Sequence, residues 1–323
     1  MIVESMIRRL QWFYHAVRYT LRKKISFLCK IPYSKRRMFD VEAGSRMLEQ
    51  MILSGKPFMA GRLGGFELAV MRMVEFHFPK KIAAQVHSVY LCAGFFPDDP
   101  MLAERFTRVQ EEAYRNTDIL ACCGQFAEPW FINRFMPRDS ITVESLKLYD
   151  VFSLKNHWTG ALAGKKVLVV TAFPDSVAMQ YARRDKIYPG TDILPEFAEL
   201  IIYKPVFTIG DIKDERFGDW FEALEFMKKE ILAKDFDIAI MACGAYGFPL
   251  AGEIKKAGRQ AIYMGGVLQV LFGILGRRWD GSRFGGIDHM PEDLKKYYSD
   301  AWIYPVEGRP DDAGKVEYGP YWK

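Results

Sequence analysis

The sequence predicts an α/β fold built on a mostly parallel sheet with helices on both faces. Short apolar runs that end in glycine alternate with helical segments along most of the chain, an order typical of parallel sheets. The stretch 237–280 shows it best, because the apolar run 238–241 leads into 243–247 and the run 261–264 leads into 265–266. Each of these strand–glycine–helix junctions places backbone N–H groups and a helix start at one sheet edge, where a phosphate can be held.

The individual elements are assigned from the spacing of apolar residues, which is three or four in helices and continuous or alternating in strands. In the first half we expect helices over 2–28 and 41–53, a strand over 58–60, a helix from Leu68, and mainly helical structure over 101–136 with a strand at 119–122. His87 falls in a further plausible strand. In the second half we expect strands over 167–171, 200–203 and 206–209, and helices over 177–184 and 220–233, besides the two junctions above.

Length and composition predict one large or two ordinary globular domains. The chain has 323 residues, of which 50% are hydrophobic and 26% charged, so it can bury a full core. We divide it into an arm over 1–37 and a single domain over 38–323, whose tail from Trp302 is predicted to be a packed strap. Five cysteines without a C-x-x-C pair argue against a structural zinc site, and a reducing cytoplasm is the expected compartment.

The arm over 1–37 carries most of the positive charge. It holds ten Lys and Arg residues and one acidic residue; since it contributes +9 to a chain total of +5, the remaining 286 residues carry −4. This body does not resemble a nucleic-acid binder. The predicted helix of the arm is basic and amphipathic, and arginines interrupt its apolar runs, which excludes a transmembrane span. It suits the surface of an anionic membrane, the body of the protein, or a second subunit in an oligomer.

Four loops are expected at the carboxyl edge of the sheet, where α/β proteins bind ligands. They are 61–67, 172–176, 243–249 and 265–269, and they bring together Arg62, Glu67, Asp175, Ser176, Tyr246 and Gln269. Neither the G-x-G-x-x-G fingerprint of dinucleotide sites nor the P-loop pattern is present. A Ser–His–Asp arrangement and an H-E-x-x-H pair are also missing, which argues against nucleophilic or zinc-dependent hydrolysis.

The residue types in these loops favour a phosphorylated ligand. Arg62 can pair with phosphate oxygens, Gly64 and Gly65 allow a ligand to approach the backbone, and Glu67 suits a general base or metal ligand. Glu67 also suits the first turn of a helix, and Asp175 suits a helix N-cap. Further candidates for ligand contact are Gly244, Ala245, Tyr246, Gly247, Gly265, Gly266, Gln269, Arg277 and Arg278. A side chain in place of Gly247 is expected to crowd the ligand.

Several blocks resemble a group of bacterial proteins encoded in surface-polysaccharide gene clusters. They are 165–170, 174–176, 194–197, the stretch CGAYGFPLA…GGVLQVLFGILGRRWD, and the terminal Tyr321-Trp322. The segment Arg62-x-Gly-Gly-x-Glu67 is similar to the R-x-G-D-G-E segment of glycosyltransferases with the GT-D fold. The resemblance runs from about residue 41 to the end of the chain.

This resemblance implies a Rossmann-like core that passes a sugar from a nucleotide sugar, with a UDP-sugar as the expected donor, to an acceptor hydroxyl of a glycan or lipid-linked precursor. In that family a D-x-E pair is tied to metal and nucleotide-sugar binding. Glu67 matches the Glu, but Gly65 stands in place of the Asp. Mn²⁺ or Mg²⁺ would then need Asp175 or Asp280 as a second ligand, or Arg62 and Arg277 would neutralise the diphosphate without a metal. A non-catalytic binding protein and another nucleotide-dependent sugar-modifying enzyme are the alternatives.

Overall fold

A computed structural model describes residues 2–25, 34–210, 212–282, 289–311, 314 and 319–323. Its centre is an eight-stranded sheet in which every pair of neighbours is parallel. The strands are β1 (Met38–Phe39), β2 (Phe58–Gly61), β3 (Ile119–Ala121), β4 (Ile141–Val143), β5 (Lys166–Thr171), β6 (Glu199–Tyr203), β7 (Ile238–Ala242) and β8 (Gln260–Tyr263). This all-parallel sheet within an α/β chain is consistent with a Rossmann-like fold.

The spatial order of the strands is β1-β4-β3-β2-β8-β7-β5-β6. The strands of the first half of the chain therefore form one side of the sheet, and those of the second half form the other. The two halves meet where β2 pairs with β8, with Ala60 opposite Ile262. In the second half, β6 is added on one side of β5, whereas β7 and β8 are added on the other, so the direction in which the chain adds strands reverses between β5 and β7. Such a reversal opens a crevice outside the carboxyl ends of the strands.

Helices cover both faces of the sheet. They are α1 (Ile2–Ile25), α2 (Val41–Leu53), α3 (Gly65–Glu75), α4 (Pro79–Ala93), α5 (Ala103–Asn116), α6 (Glu128–Phe135), α7 (Pro174–Tyr181), α8 (Trp220–Leu232), α9 (Gly247–Lys256), α10 (Leu268–Leu271) and α11 (Glu292–Lys295). The sheet separates two cores, and alternate residues of β5 point to opposite ones. Leu168 and Val170 pack in the core formed with α3, α5, α8 and α9. Val167 and Val169 pack in the core formed with α2, α7 and α10. None of the helices in the described ranges has the length and apolar content of a membrane span.

Local sequence signals explain where several helices begin and end. Asp40 and Asp219 cap α2 and α8, and their carboxylates accept bonds from Ala43 N at 2.7 Å and Glu222 N at 2.8 Å. α4 ends at Gly94, which adopts the left-handed conformation that glycine tolerates best. α3 and α7 begin earlier than predicted, at Gly65 and Pro174, because both residues are compatible with a helix start.

Two of the predicted strands are wrong. His87 lies within α4 and not in a strand, and its Nδ1 is 2.6 Å from an Asp98 carboxylate oxygen. The segment 206–209 is not a strand either. Pro205, which precedes it, has no N–H to donate to a ladder, and the Thr208 hydroxyl donates instead to Gly94 O at 2.7 Å. The strands β1 and β4 were not predicted, because two or three residues are too few to show a period.

The arm and the tail both lie against the helical layers. α1 spans the described part of the predicted arm helix, and residues 26–33 of the arm lie outside the described ranges. The tail packs beside α10: Gly276 approaches Pro320 and Tyr321 so closely that an added Cβ would lie 2.6 Å from Pro320 O. Arg277 N and Arg278 N donate to Trp322 O and Pro320 O. The tail is therefore held by backbone bonds next to the carboxyl edge of the sheet.

Candidate functional site

A cavity of about 460 Å³ opens at the carboxyl edge of the sheet, next to the boundary between β2 and β8. Its walls come from the loops that follow β2, β3, β5, β7 and β8, from the segment 205–209, and from the end of the tail. Ligand cavities in proteins commonly have volumes of 300–1,000 Å³. The cavity thus lies where the topology places a ligand site, and it has the size of one.

Arg62 and Glu67 both line this cavity; Glu67 is buried, and Arg62 is partly exposed with its Nε buried. Nε of Arg62 has no hydrogen-bond partner among the residues that the structure describes. Burial by itself lowers the pKa of the Arg62 guanidinium, but interactions with Tyr263 and Glu67 outweigh it and raise that pKa above its ordinary value. A buried donor without a partner is costly, so Arg62 is suited to an anion that enters the cavity.

The first turn of α3 forms one wall of the cavity. Gly64 is its N-cap residue and supplies no side-chain oxygen to the N–H groups of the turn. The Glu67 carboxylate lies over Gly64, since a Cβ on Gly64 would be 1.9 Å from Glu67 Oε2. Gly65 leaves more room, because a Cβ there would meet only Gln125 at 3.7 Å. An anion in the cavity would face the positive end of α3 together with Arg62.

The loop after β7 lines the cavity with Cys243, Gly244 and Tyr246. Gly244 has a φ of +56°, and a Cβ on it would lie 2.4 Å from Ala93 O. Its carbonyl accepts a hydrogen bond from Tyr263 Oη at 2.8 Å. Tyr246 is buried and stacks on Trp220 with ring centroids 5.1 Å apart. Tyr246 is therefore part of the cavity floor, held by the core.

Two residues of the same loop do not line the cavity. Ala245 is buried, and its carbonyl accepts from Gln110 Nε2 at 3.2 Å. Gly247 is packed against β8, because a Cβ on it would lie 2.1 Å from Cε2 of Tyr263. The glycine at 247 is therefore explained by packing against Tyr263 and not, as expected, by the approach of a ligand.

The junction after β8 contributes Gly265, Gly266, Gln269 and Arg278 to the cavity. Gln269 is buried and donates through Nε2 to Ile274 O and Tyr321 O, both at 3.3 Å. Its Oε1 accepts no hydrogen bond within the described part of the chain. The guanidinium of Arg278 lies over the Tyr321 ring, 5.0 Å from its centroid. Gln269 and Arg278 add an amide oxygen and a second cation to the same space.

Four other expected site residues lie elsewhere. Asp175 is exposed and does not line the cavity. The Ser176 hydroxyl donates to Glu307 Oε2 at 2.5 Å and accepts from Val306 N at 2.9 Å, so the tail occupies it. Asp280 accepts from Tyr304 Oη at 2.8 Å and from a backbone N–H. The fourth residue, Arg277, contacts the tail through its backbone and is not a lining residue.

The cavity also contains residues that were not predicted as site residues. Gln125 comes from the loop after β3, and an aromatic wall is formed by Phe173, Phe207 and Trp322. Phe173 and Trp322 meet edge to face with centroids 5.8 Å apart. Phe173 lies two residues after the buried strand β5, and this position could have predicted its place in the site. Trp322 had no such signal, because it reaches the cavity through the path of the tail.

Cys123, in the loop after β3, is not poised as a nucleophile. Burial, and next to it the Glu128 carboxylate, raises the pKa of the Cys123 thiol well above its ordinary value. Glu128 Oε1 accepts from Cys123 N at 3.1 Å, and its other oxygen accepts from Gly124 N at 3.0 Å. These bonds hold the loop after β3 in the conformation that presents Gln125 to the cavity. Glu128 was not predicted.

The described residues of the cavity do not form a protein-built metal site. Of the lining residues that the structure describes, Glu67 is the one carboxylate, and Asp175 and Asp280 lie elsewhere. Within the described ranges no group of three or more His, Cys, Asp or Glu residues is placed to hold a metal ion. Mg²⁺ and Mn²⁺ favour several oxygen ligands, so this donor set does not fit either ion without oxygens from a ligand.

Compared with protein-family models, with curated proteins and with solved structures, the chain matches none of them. The likeness to GT-D glycosyltransferases therefore stays a prediction from the motif around Arg62 and Glu67. The geometry of the cavity is what supports a function.

Proposed function

We propose that the protein is a glycosyltransferase that moves a sugar from a nucleotide sugar to a hydroxyl of a polysaccharide or glycolipid precursor. The observation that carries this proposal is the guanidinium of Arg62, whose buried Nε has no partner among the described residues and which lines a cavity beside the start of α3. A cation and a helix N-terminus together favour a phosphate group. The resemblance of the motif to the GT-D family narrows the phosphorylated ligand to a nucleotide sugar.

The diphosphate would be held by Arg62, Arg278 and the first turn of α3. Both arginines line the same cavity, and guanidinium groups form paired hydrogen bonds with phosphate oxygens. The nucleoside would lie along the aromatic wall of Phe173, Phe207 and Trp322, since aromatic rings are the usual surface for a base. A UDP-sugar is our proposed donor, in line with the resemblance.

The reaction needs a base for the acceptor and a site for the charge of the leaving group. Glu67 is the carboxylate of the cavity, and in this proposal it accepts the proton of the acceptor hydroxyl. The acceptor oxygen then forms the new bond to the anomeric carbon, and the bond from that carbon to the diphosphate breaks. Arg62 and Arg278 stabilise the negative charge that develops on the departing diphosphate.

Binding is tested by thermal unfolding with a panel of nucleotide sugars, each with and without Mn²⁺. A ligand at a hundred times its Kd stabilises the folded state by about 2.7 kcal/mol. Arg62→Gln should weaken the binding of the active nucleotide sugar by roughly 30- to 1,000-fold, because a buried charged contact of about 2–4 kcal/mol is lost. Arg72→Gln is the matched control, since Arg72 is also an arginine with an unpartnered, buried Nε but lies outside the cavity. Equal affinity in both variants would refute the role of Arg62.

Turnover separates an enzyme from a binding protein. Glu67→Gln should reduce sugar transfer by about a hundredfold or more while binding persists. Glu222→Gln is its control, because Glu222 holds the same position in the first turn of α8, and its carboxylate accepts from Gly218 N at 2.7 Å. Binding of a nucleotide sugar without transfer or hydrolysis in the wild-type protein would favour the non-catalytic alternative. Chemistry on the sugar itself would instead indicate a sugar-modifying enzyme.

A further inference from the structure

The most unusual surface of the protein is the outer face of α1. Of the thirteen large apolar residues that are exposed among the described ones, eight lie on this helix: Val3, Met6, Ile7, Leu10, Phe13, Tyr14, Val17 and Leu21. Their exposed fractions run from 41% to 69%. At 3.6 residues per turn they fall within an arc of about 120°. They form one continuous stripe, and we call it the outer face of α1.

The opposite side of α1 is anchored to the body. Trp12 meets Phe78 and Phe126 edge to face, with ring centroids 5.2 and 5.5 Å apart. Tyr19 also contacts Phe126, and Arg8 forms an ion pair with Glu75. These anchors lie about 170° around the helix from the outer face. The protein therefore holds α1 with its apolar stripe directed away from the core.

Positive charge surrounds this stripe. Arg9 and Arg18 lie at its two borders, where long side chains can reach past an apolar surface to a charged one. The sequence over 1–37 carries a net charge of +9. A second copy of α1 on this face would bring two such basic segments together, whereas an anionic bilayer offers both an apolar layer and negative charge. Charge complementarity thus selects the membrane.

A second cavity, of about 440 Å³, lies between α1 and α6 beside the outer face. Arg18, Lys35 and Arg134 line it together with His15. No acidic side chain is among the described residues that line it. Three cations around one cavity suit the phosphate of a lipid headgroup. The cavity opens next to Tyr14, which belongs to the outer face, so an inserted helix and a bound headgroup would share one bilayer surface.

We propose that α1 docks the protein on an anionic membrane, with its outer face inserted at the level of the headgroups and a lipid phosphate in the cavity between α1 and α6. The docking also relates to the candidate site. Gln125 lines the site cavity, Phe126 packs on α1, and Ala127 lines the cavity between α1 and α6, which we call the headgroup cavity. Consecutive Cα atoms are 3.8 Å apart, so these walls lie within about 8 Å of each other. A lipid-linked acceptor would reach the site from the surface on which the protein rests.

The proposal is tested by flotation of the full-length protein with vesicles of phosphatidylcholine alone or mixed with phosphatidylglycerol. The wild-type protein should float with the mixed vesicles, and added salt should weaken this binding. The double variant Leu10→Glu, Phe13→Glu should reduce the bound fraction at least tenfold. Its control is Leu53→Glu, since Leu53 is 64% exposed on α2 and Leu10 is 62% exposed on α1. Because these side chains are exposed, each variant should remain folded, and circular dichroism checks this.

The binding of a lipid phosphate in the headgroup cavity is tested separately. Arg18→Gln with Arg134→Gln should reduce binding to the mixed vesicles several-fold, and Arg108→Gln, on an exposed part of α5, should not. The proposal would be overturned if the protein floated equally with both vesicle types or did not float at low salt. It would also be overturned if Leu53→Glu lost as much vesicle binding as Leu10→Glu, Phe13→Glu. A dimer in light scattering that Leu10→Glu, Phe13→Glu dissociates would assign the face to a second copy instead. Nucleotide-sugar binding is measured in parallel, and its failure would leave the membrane result untouched.

Discussion

Replacing Gly247 with alanine is expected to destabilise the protein by steric conflict with Tyr263. The added Cβ would lie 2.1 Å from Cε2 and 2.2 Å from Cδ2 of that ring, whereas carbon atoms in contact prefer about 3.5–4.0 Å. The ring is buried, and its hydroxyl donates to Gly244 O at 2.8 Å. Overpacking costs roughly 1–3 kcal/mol, and the loss of this hydrogen bond adds about 1 kcal/mol. The free energy of unfolding should therefore fall by about 2–4 kcal/mol.

Gly252→Ala provides a matched control within the same helix. A Cβ at 252 would meet the Ala113 and Asn116 carbons at 3.6 Å and Met59 Sδ at 3.7 Å, which are ordinary contacts. Alanine is a better helix former than glycine by about 1 kcal/mol, so this variant should be as stable as the wild type or slightly more stable. The two alanine variants should thus differ from each other in stability by roughly 2–5 kcal/mol, although the type of substitution is the same.

The assay is urea unfolding followed by circular dichroism, with the slope against denaturant compared between variants to confirm that the transition is unchanged. Stability of Gly247→Ala within about 0.5 kcal/mol of the wild type would refute the packing argument. If that variant were also unable to bind a nucleotide sugar, the original expectation that Gly247 faces the ligand would be restored. The experiment therefore separates packing against Tyr263 from direct contact with the ligand.

Two further predictions follow from buried ionisable groups. Burial raises the pKa of Asp150 to about 6, although the positive charges of Lys147, Arg62 and Arg278 act to lower it. The folded protein is therefore destabilised by the charged form of Asp150: this loss of stability is absent below about pH 4 and develops as the pH rises through 6. In urea unfolding, Asp150→Asn should be more stable than the wild type by about 2–3 kcal/mol at pH 8 and equal to it near pH 4. Identical pH profiles would contradict this. Burial also raises the pKa of the Cys123 and Cys243 thiols, so iodoacetamide at pH 8 should alkylate both at least a hundredfold more slowly in the native than in the unfolded protein, as measured by peptide mass spectrometry; equal rates would show that these thiols are accessible and ionised.

The central strands were predictable because each is a short, continuously apolar run that is buried on both faces. β2, β5, β7 and β8 were all expected within a residue or two of their observed bounds, and their parallel pairing was expected from the helices between them. The peripheral elements were less accessible. β1 and β4 are very short, α4 was not expected, and the apolar segment 206–209 contacts α4 in place of a neighbouring strand. Apolar character alone does not specify which partner a segment finds.

The candidate site shows the same division. Arg62, Glu67 and the glycine junctions were predictable as neighbours, because the carboxyl ends of parallel strands meet at one edge whatever the details of packing. Tertiary structure alone decided that Ser176 is taken by Glu307, more than a hundred residues away, and that Trp322 completes the aromatic wall. It also decided that the apolar stripe of α1 faces outward. Local sequence determines the elements and the edge at which loops gather, but contacts between distant segments depend on the path of the chain, which no local period encodes.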